Sequence, residues 1–174
     1  ARLNIAETRL EAFEFGEMIE RDGFRLRMLP AGHIAGSAML HVTRKKDGAT
    51  LLYTGDFKVR RGRATQAVNF INADTLIMET TFGLPHMVFP GQMEVEASVL
   101  RFVNEALADG ETPVLFAYSL GKAQEAVALL AEHGIPVLSH PKVAEMTDVC
   151  RAAGIELPES VVFEGFALPG QAVV

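Results

Sequence analysis

Three side chains suited to metal or acid–base chemistry stand in the first half of this sequence. His33 lies in Pro30-Ala31-Gly32-His33-Ile34-Ala35-Gly36-Ser37, Asp56 in Thr54-Gly55-Asp56-Phe57, and Glu79 closes an apolar run at Met78-Glu79. An imidazole and two carboxylates at one sheet edge make a hard-to-borderline donor set, suited to a metal that lowers the pKa of water and supplies hydroxide at neutral pH. The flanking glycines permit the positive-φ turns that aim side chains at a shared centre. Spacing alone leaves a second reading open. A loop histidine and a turn aspartate also serve as hydrogen-bond partners for backbone, and so few candidate ligands fall short of a full metal site.

A second constellation follows an apolar run at residues 113–118. In Ser119-Leu120-Gly121-Lys122, Ser119 is placed to cap a helix, Gly121 to allow close backbone approach, and Lys122 to add charge beside free helix amides. This is an anion cradle with Tyr118 as a stacking group, or else an ordinary capped helix of an α/β unit. Lys58, Arg60, Arg61 and Arg63 crowd together just after Asp56; such a cluster holds a polyanion backbone or is simply solvated. Among the other histidines, His41 reads as a mid-strand surface partner for Thr43 and His133 as a cation closing a helix. His86 and His140 begin loops, and His86 stands nearest the Glu79 motif.

The elements that must position these groups are legible from turns and periodicity. Asp22-Gly23 and Asp47-Gly48 are hairpin signals between strand-like runs. They predict strands at 15–19, 24–29, 38–43 and 50–54, with a further, buried strand at 75–79. If 24–29 runs upward, 38–43 returns and 50–54 runs upward again, so that His33 and Asp56 leave the same edge. The linker 58–74 is long enough to bring 75–79 up in the same sense. Beyond residue 90, helical spacing covers 95–107, an apolar strand 113–118, a helix 121–132, a strand 135–138 and a helix 143–153. Strands alternating with helices imply a parallel sheet, and the fold class is α/β. The Pro-rich stretch 85–91 divides the chain into units 1–90 and 91–174.

Composition bounds the rest. The 174 residues are 49% hydrophobic and 22% charged. A chain of this size buries roughly 70% of its unfolded surface, which excludes disordered, collagen-like and coiled-coil classes. No apolar run approaches the ~20 residues of a membrane span, and Ala1-Arg2-Leu3-Asn4 does not start a signal peptide. A soluble chain with no membrane partner is expected. The single cysteine, Cys150, suits a reducing cytoplasm, excludes a cysteine-built metal site and is expected in the core. With 16 basic and 22 acidic residues the net charge is -6, so contact with a polyanion has to be local.

These residues carry a resemblance. Pro30-Ala31-Gly32-His33 to Gly36-Ser37, Tyr53-Thr54-Gly55-Asp56, Met78-Glu79-Thr80-Thr81-Phe82-Gly83-Leu84-Pro85 and Phe116-Ala117-Tyr118-Ser119-Leu120-Gly121-Lys122-Ala123-Gln124-Glu125 resemble, in order, the motifs of the metallo-β-lactamase superfamily, β-CASP branch. The wording is most similar to bacterial ligase-associated DNA exonucleases and related RNA-processing exonucleases. The resemblance implies a partial metallo-β-lactamase-type sheet in 1–90 and part of an inserted β-CASP α/β domain in 91–174. It implies a zinc-dependent nuclease of DNA repair or RNA processing, with two Zn2+ ions, DNA or RNA as partner, and association with a DNA ligase or helicase. By the same resemblance His33 and Asp56 are metal ligands, Asp56 bridging two ions, and Glu79 orients a catalytic histidine. The catalytic set is then Asp56, Glu79 and His33; Gly36 and Ser37 complete the histidine loop; Ser119, Gly121, Lys122 and Tyr118 bind substrate.

The branch's His-x-His-x-Asp-His motif has no counterpart here, because residues 1–30 contain no histidine. Its two later histidines follow the inserted domain. The sequence therefore reads as an internal portion of a longer protein, expected by itself to bind zinc weakly and hydrolyse little. The alternative is a non-catalytic nucleic-acid or nucleotide-binding α/β module. A small-molecule metallohydrolase fits the wording after Glu79 less well.

Overall fold

The computed structural model describes residues 11–174; the first ten residues of the predicted 1–90 unit lie outside the described residues. Five strands form the first sheet in sequence order: β1 (Met18–Arg21), β2 (Phe24–Pro30), β3 (Ala38–Arg44), β4 (Thr50–Tyr53) and β5 (Thr75–Ile77). The β1–β2 hairpin closes at Arg21↔Phe24 through Asp22 and Gly23, both at positive φ (45° and 83°), the twist that Asp-Gly supplies. This tight turn moves the first strand to Met18–Arg21 from the expected 15–19. β2, β3 and β4 pair antiparallel, and β5 joins β4 in parallel.

The stretch between β4 and β5 crosses one face of this sheet and supplies its cover. Leu29, Ala31, Met39 and Leu52 are buried beneath Phe57, Val68, Ile71 and Ala73. The buried strand expected at 75–79 is corrected: β5 is shorter, and Leu76 and Ile77 are exposed because the strand lies at the sheet edge. His41 is corrected too. Rather than lying on the surface, it is 8% exposed, across from Arg27, and neither His41 Nε2 nor Arg27 Nε finds a hydrogen-bond partner among the described residues.

The second half is built on helices α1 (Gln92–Ala108), α2 (Lys122–Glu132) and α3 (Pro141–Ala152) around a parallel sheet of β6 (Val137–Ser139), β7 (Val161–Val162) and β8 (Ala172–Val173), in the order β7-β6-β8. Its core joins Val103, Ala123, Val127, Leu130, Ile135, Val143, Ala172 and Val174; Cys150 is buried as expected. The strand expected at 113–118 reduces to a single parallel bridge, Val114↔Val173, and Phe116 stands 97% exposed. An apolar run adopts a ladder only where a partner strand meets it, and beyond Leu115 none does among the described residues. No helix among these residues is long and apolar enough to cross a membrane.

Polar groups join the two halves. Arg63 Nε donates to Glu132 at 2.7 Å, and Nη1 and Nη2 donate to Glu96 at 2.6 and 3.1 Å. Lys58 pairs with Glu125 across the same junction, whereas the bond from Arg60 Nη1 to the Pro90 carbonyl stays within the first half. Half of the basic cluster after Asp56 is thus engaged inside the molecule, Lys58 and Arg63, while Arg60 and Arg61 stay exposed.

Two stability outcomes follow. Burial, then the Arg27 charge, lowers the His41 pKa from its ordinary 6.5; the unfolded chain binds that proton more readily. Stability is therefore full above 6.5 and falls as pH drops toward the lowered folded-state value. Thermal melts should show this slope, and His41→Leu should flatten it. Arg63→Ala should cost about 2 kcal/mol, read from urea midpoints, and Arg63→Lys should recover less than half, because lysine has no planar fork.

Candidate functional site

The strand senses bring the predicted site together. β2, β4 and β5 end at one edge of the first sheet, so His33, Asp56 and Glu79 all leave from it. His33 Nε2 lies 4.0 Å from Asp56 Oδ2, with the two side chains 44% and 73% exposed. Glu79 sits beyond β5 and accepts the Thr81 amide on Oε2 at 2.9 Å. That amide first, then the Thr81 hydroxyl, the Phe57 amide and the nearby His33, holds the Glu79 carboxyl below the usual range and keeps it ionised.

Loops, not strands, carry these groups, and each loop is tied. The Ser37 hydroxyl accepts the amides of His33 and Ile34 at 3.1 and 3.2 Å and donates to the Ile34 carbonyl at 2.8 Å; the Gly36 amide donates to Gln66. Gly32 is obligatory: its φ is 73°, and a Cβ would stand 2.6 Å from the Lys58 carbonyl. Thr54, 2% exposed, joins the other two loops. Its hydroxyl donates to the Gly55 carbonyl at 2.7 Å and accepts the Glu79 amide at 3.3 Å. Sequence reasoning gave Thr54 no role; a hydroxyl residue ending a buried strand just before Gly-Asp was the available signal.

The donor chemistry fits zinc, but the count is incomplete. Two donors on a tetrahedral ion with bonds of ~2.0–2.1 Å lie roughly 3.3 Å apart, so His33 and Asp56 need only a small approach to share one. Among the described residues no group of three or more His, Cys, Asp and Glu is placed to hold a metal, and His86 adds no third ligand. His133 closes α2, its Nδ1 2.9 Å from the Leu129 carbonyl, and His140 caps α3, accepting the Lys142 amide.

At the second constellation the capping role of Ser119 is corrected. The N-cap of α2 is Gly121, at φ 93°, and Gln124 Oε1 reaches back to its amide at 2.7 Å. Ser119 uses its carbonyl instead, accepting Gln124 Nε2 at 3.0 Å. The Gly121 amide is therefore engaged, as is that of Ala123, which donates to the Tyr118 carbonyl; the free-amide cradle is smaller than expected. The close approach at Gly121 is to Ile34, whose Cγ2 would stand 2.5 Å from an added Cβ. Lys122 is exposed, with no side-chain partner among the described residues, beside Tyr118 at 83% exposure.

No family model matches the chain. A probable DNA ligase of Opitutus terrae is 44% identical over 145 residues, 83% of this chain and 14% of that protein. An uncharacterized protein in lig 3'region of Acidianus ambivalens is 34% identical over 143 residues, 81% of this chain and 97% of that protein. RNase aCSPSF2 of Saccharolobus solfataricus is 30% identical over 128 residues, 72% of this chain and 25% of that protein. A crystal structure of a protein of unknown function from Enterococcus faecalis V583 superposes on 91% of this chain and 39% of its own with a TM-score of 0.59 at 14% identity, a likeness of fold. The ordered motifs, their meeting at one sheet edge and these relatives together establish that the chain belongs to the metallo-β-lactamase superfamily, in its β-CASP branch.

Proposed function

We propose that this chain is part of a zinc-dependent nuclease that hydrolyses phosphodiester bonds in single-stranded DNA or RNA. The observation that carries the reading is the His33–Asp56 pair, 4.0 Å apart at the edge where Glu79 also emerges. A relative named as an RNase supports the nuclease class, and one named as a probable DNA ligase supports association with a ligase. His33 Nε2 and Asp56 Oδ2 would hold zinc together with ligands beyond these two, and zinc would supply Lewis-acid activation of water and of the phosphodiester.

The chain's own residues have separable tasks in this reading. Among the described residues no hydrogen bond competes for the Asp56 carboxylate, whose one charged neighbour is His33, so its charge would be available to a metal pair. Glu79, kept ionised by Thr81, is the acceptor that aligns the N–H of a general-acid histidine supplied from outside this chain. Lys122 contacts a phosphate of the strand, with Tyr118 and Phe116 as stacking surfaces. Lys122, without a side-chain partner among the described residues and close in sequence to two exposed rings, also favours a second reading, a metal-independent nucleic-acid-binding module. The division into units 1–90 and 91–174 belongs to the same proposal.

In the longer protein containing this chain, Asp56→Asn should reduce zinc- or manganese-supported cleavage of a labelled single strand by about 100-fold or more. Unchanged cleavage would overturn the metal assignment. Lys122→Ala should weaken single-strand binding about three- to tenfold and lower the salt slope by about 1. If that loss persists in chelator and Asp56→Asn does nothing, the binding-module reading takes over.

A further inference from the structure

Resting on the nuclease reading for its functional meaning, but not for its geometry, a further role falls to Glu125. We propose that Glu125 is a positioning residue: from the first turn of α2 its carboxylate fixes the loop that follows Asp56, and so sets Asp56 against His33. The side chain is only 21% exposed. Its Oε2 accepts the Arg63 amide at 3.0 Å, its Oε1 accepts the Ala64 amide at 3.3 Å, and Lys58 Nζ stands 3.5 Å away. Two successive amides and an ammonium make an anion pocket, and its occupant is the protein's own carboxylate.

The pocket is shaped for that occupant. A Cβ on Gly62 would lie 2.2 Å from Glu125 Oε1, 2.9 Å from Thr65 Oγ1 and 3.0 Å from Lys58 Nζ, so the loop wraps the carboxylate with no room to spare. The far end of the same loop is fastened to the histidine loop. The Lys58 amide donates to the Ala31 carbonyl at 2.9 Å, and the Lys58 carbonyl packs on Gly32. Lys58 is two residues past Asp56, and Gly32 adjoins His33. A few residues ahead of Glu125, Gly121 abuts Ile34, the other neighbour of His33.

One turn of α2 therefore touches the loops of both proposed ligands. That turn is itself fixed: Gln124, fully buried, accepts the Gly121 amide and donates to the Ser119 and Val143 carbonyls and to Thr147 Oγ1. Glutamine at position 125 keeps an acceptor for one amide but turns an NH2 toward the other and toward Lys58, so charge as well as shape is required.

Amide hydrogen exchange on the full chain, comparing wild type with Glu125→Ala and Glu125→Gln, tests this. Glu125→Ala should speed exchange about tenfold or more at Arg63 and Ala64 and also at Lys58, His33 and Ile34, with β2–β4 unchanged. Glu125→Gln should loosen the same amides by about threefold. Loosening confined to Arg63 and Ala64 overturns the proposal. If Glu125→Ala unfolds the strands, Glu125→Gln decides, and wild-type rates in that variant overturn it. In the cleavage assay Glu125→Ala should lower kcat about tenfold with KM within about twofold, and Glu125→Gln should restore part of it; a wild-type kcat counts against the role. Should Asp56→Asn leave cleavage intact, the nuclease reading fails, while the exchange pattern still decides the positioning role.

Discussion

The guanidinium of Arg63 is the hinge on which the rest of the molecule is organised. The two hydrophobic cores are separate clusters, one under the first sheet and one among the helices, and the two sheets share no strand. What crosses between them is largely polar. Arg63, its side chain 23% exposed, directs one arm to Glu132 of α2 and its fork to Glu96 of α1. Isolated surface pairs contribute ~0–1 kcal/mol, but this set is partly desolvated, bidentate and shared. Its cation does not titrate in any accessible range, and Glu96 is held below the ordinary carboxylate range chiefly by Arg63. The junction is therefore insensitive to pH near neutrality.

That junction explains why a site made of loops can hold a geometry. His33, Asp56 and Glu79 sit beyond strand ends, where backbone has no ladder to restrain it. The missing restraint comes from hydroxyls and carboxylates turned back on the chain: Ser37 within the His33 loop, Thr54 between the Asp56 and Glu79 loops, Glu125 on the loop after Asp56. These ties leave the His33 and Asp56 side chains exposed, while the Glu79 carboxylate is held by Thr81. A rigid frame with open donor atoms is what an incoming ion or phosphate requires, because ordering the ligands at the moment of binding would cost conformational entropy.

The parts of this arrangement visible in the sequence are those set by local chemistry. Asp22-Gly23 specifies a two-residue hairpin by sterics alone, and the shared edge of His33 and Asp56 follows from counting strand reversals. What stayed hidden depends on distant partners. Arg63 meets residues 33 and 69 positions away, so the basic cluster looked like surface charge. The run 113–118 reads as a strand by composition, yet among the described residues only Val173 pairs with it. Ser119 looks like a cap in the sequence; the choice was made by Gly121, whose φ of 93° starts the helix two residues later.

The partial consumption of the basic cluster changes how the charge of this chain bears on a nucleic-acid partner. With Lys58 and Arg63 bound to carboxylates inside the molecule, the run that looked most like a phosphate-binding strip contributes Arg60 and Arg61 to the surface. A strand crossing from the site toward α2 would meet Lys122 and two exposed rings, not a continuous band of cations. Counterion release scales with the phosphates neutralised, whereas stacking contributes ~1–3 kcal/mol per base with little dependence on salt. Under the proposed function, then, affinity for a single strand draws on Tyr118 and Phe116 as well as on the local cations Arg60, Arg61 and Lys122, which reconciles an acidic chain of net charge -6 with a polyanionic substrate.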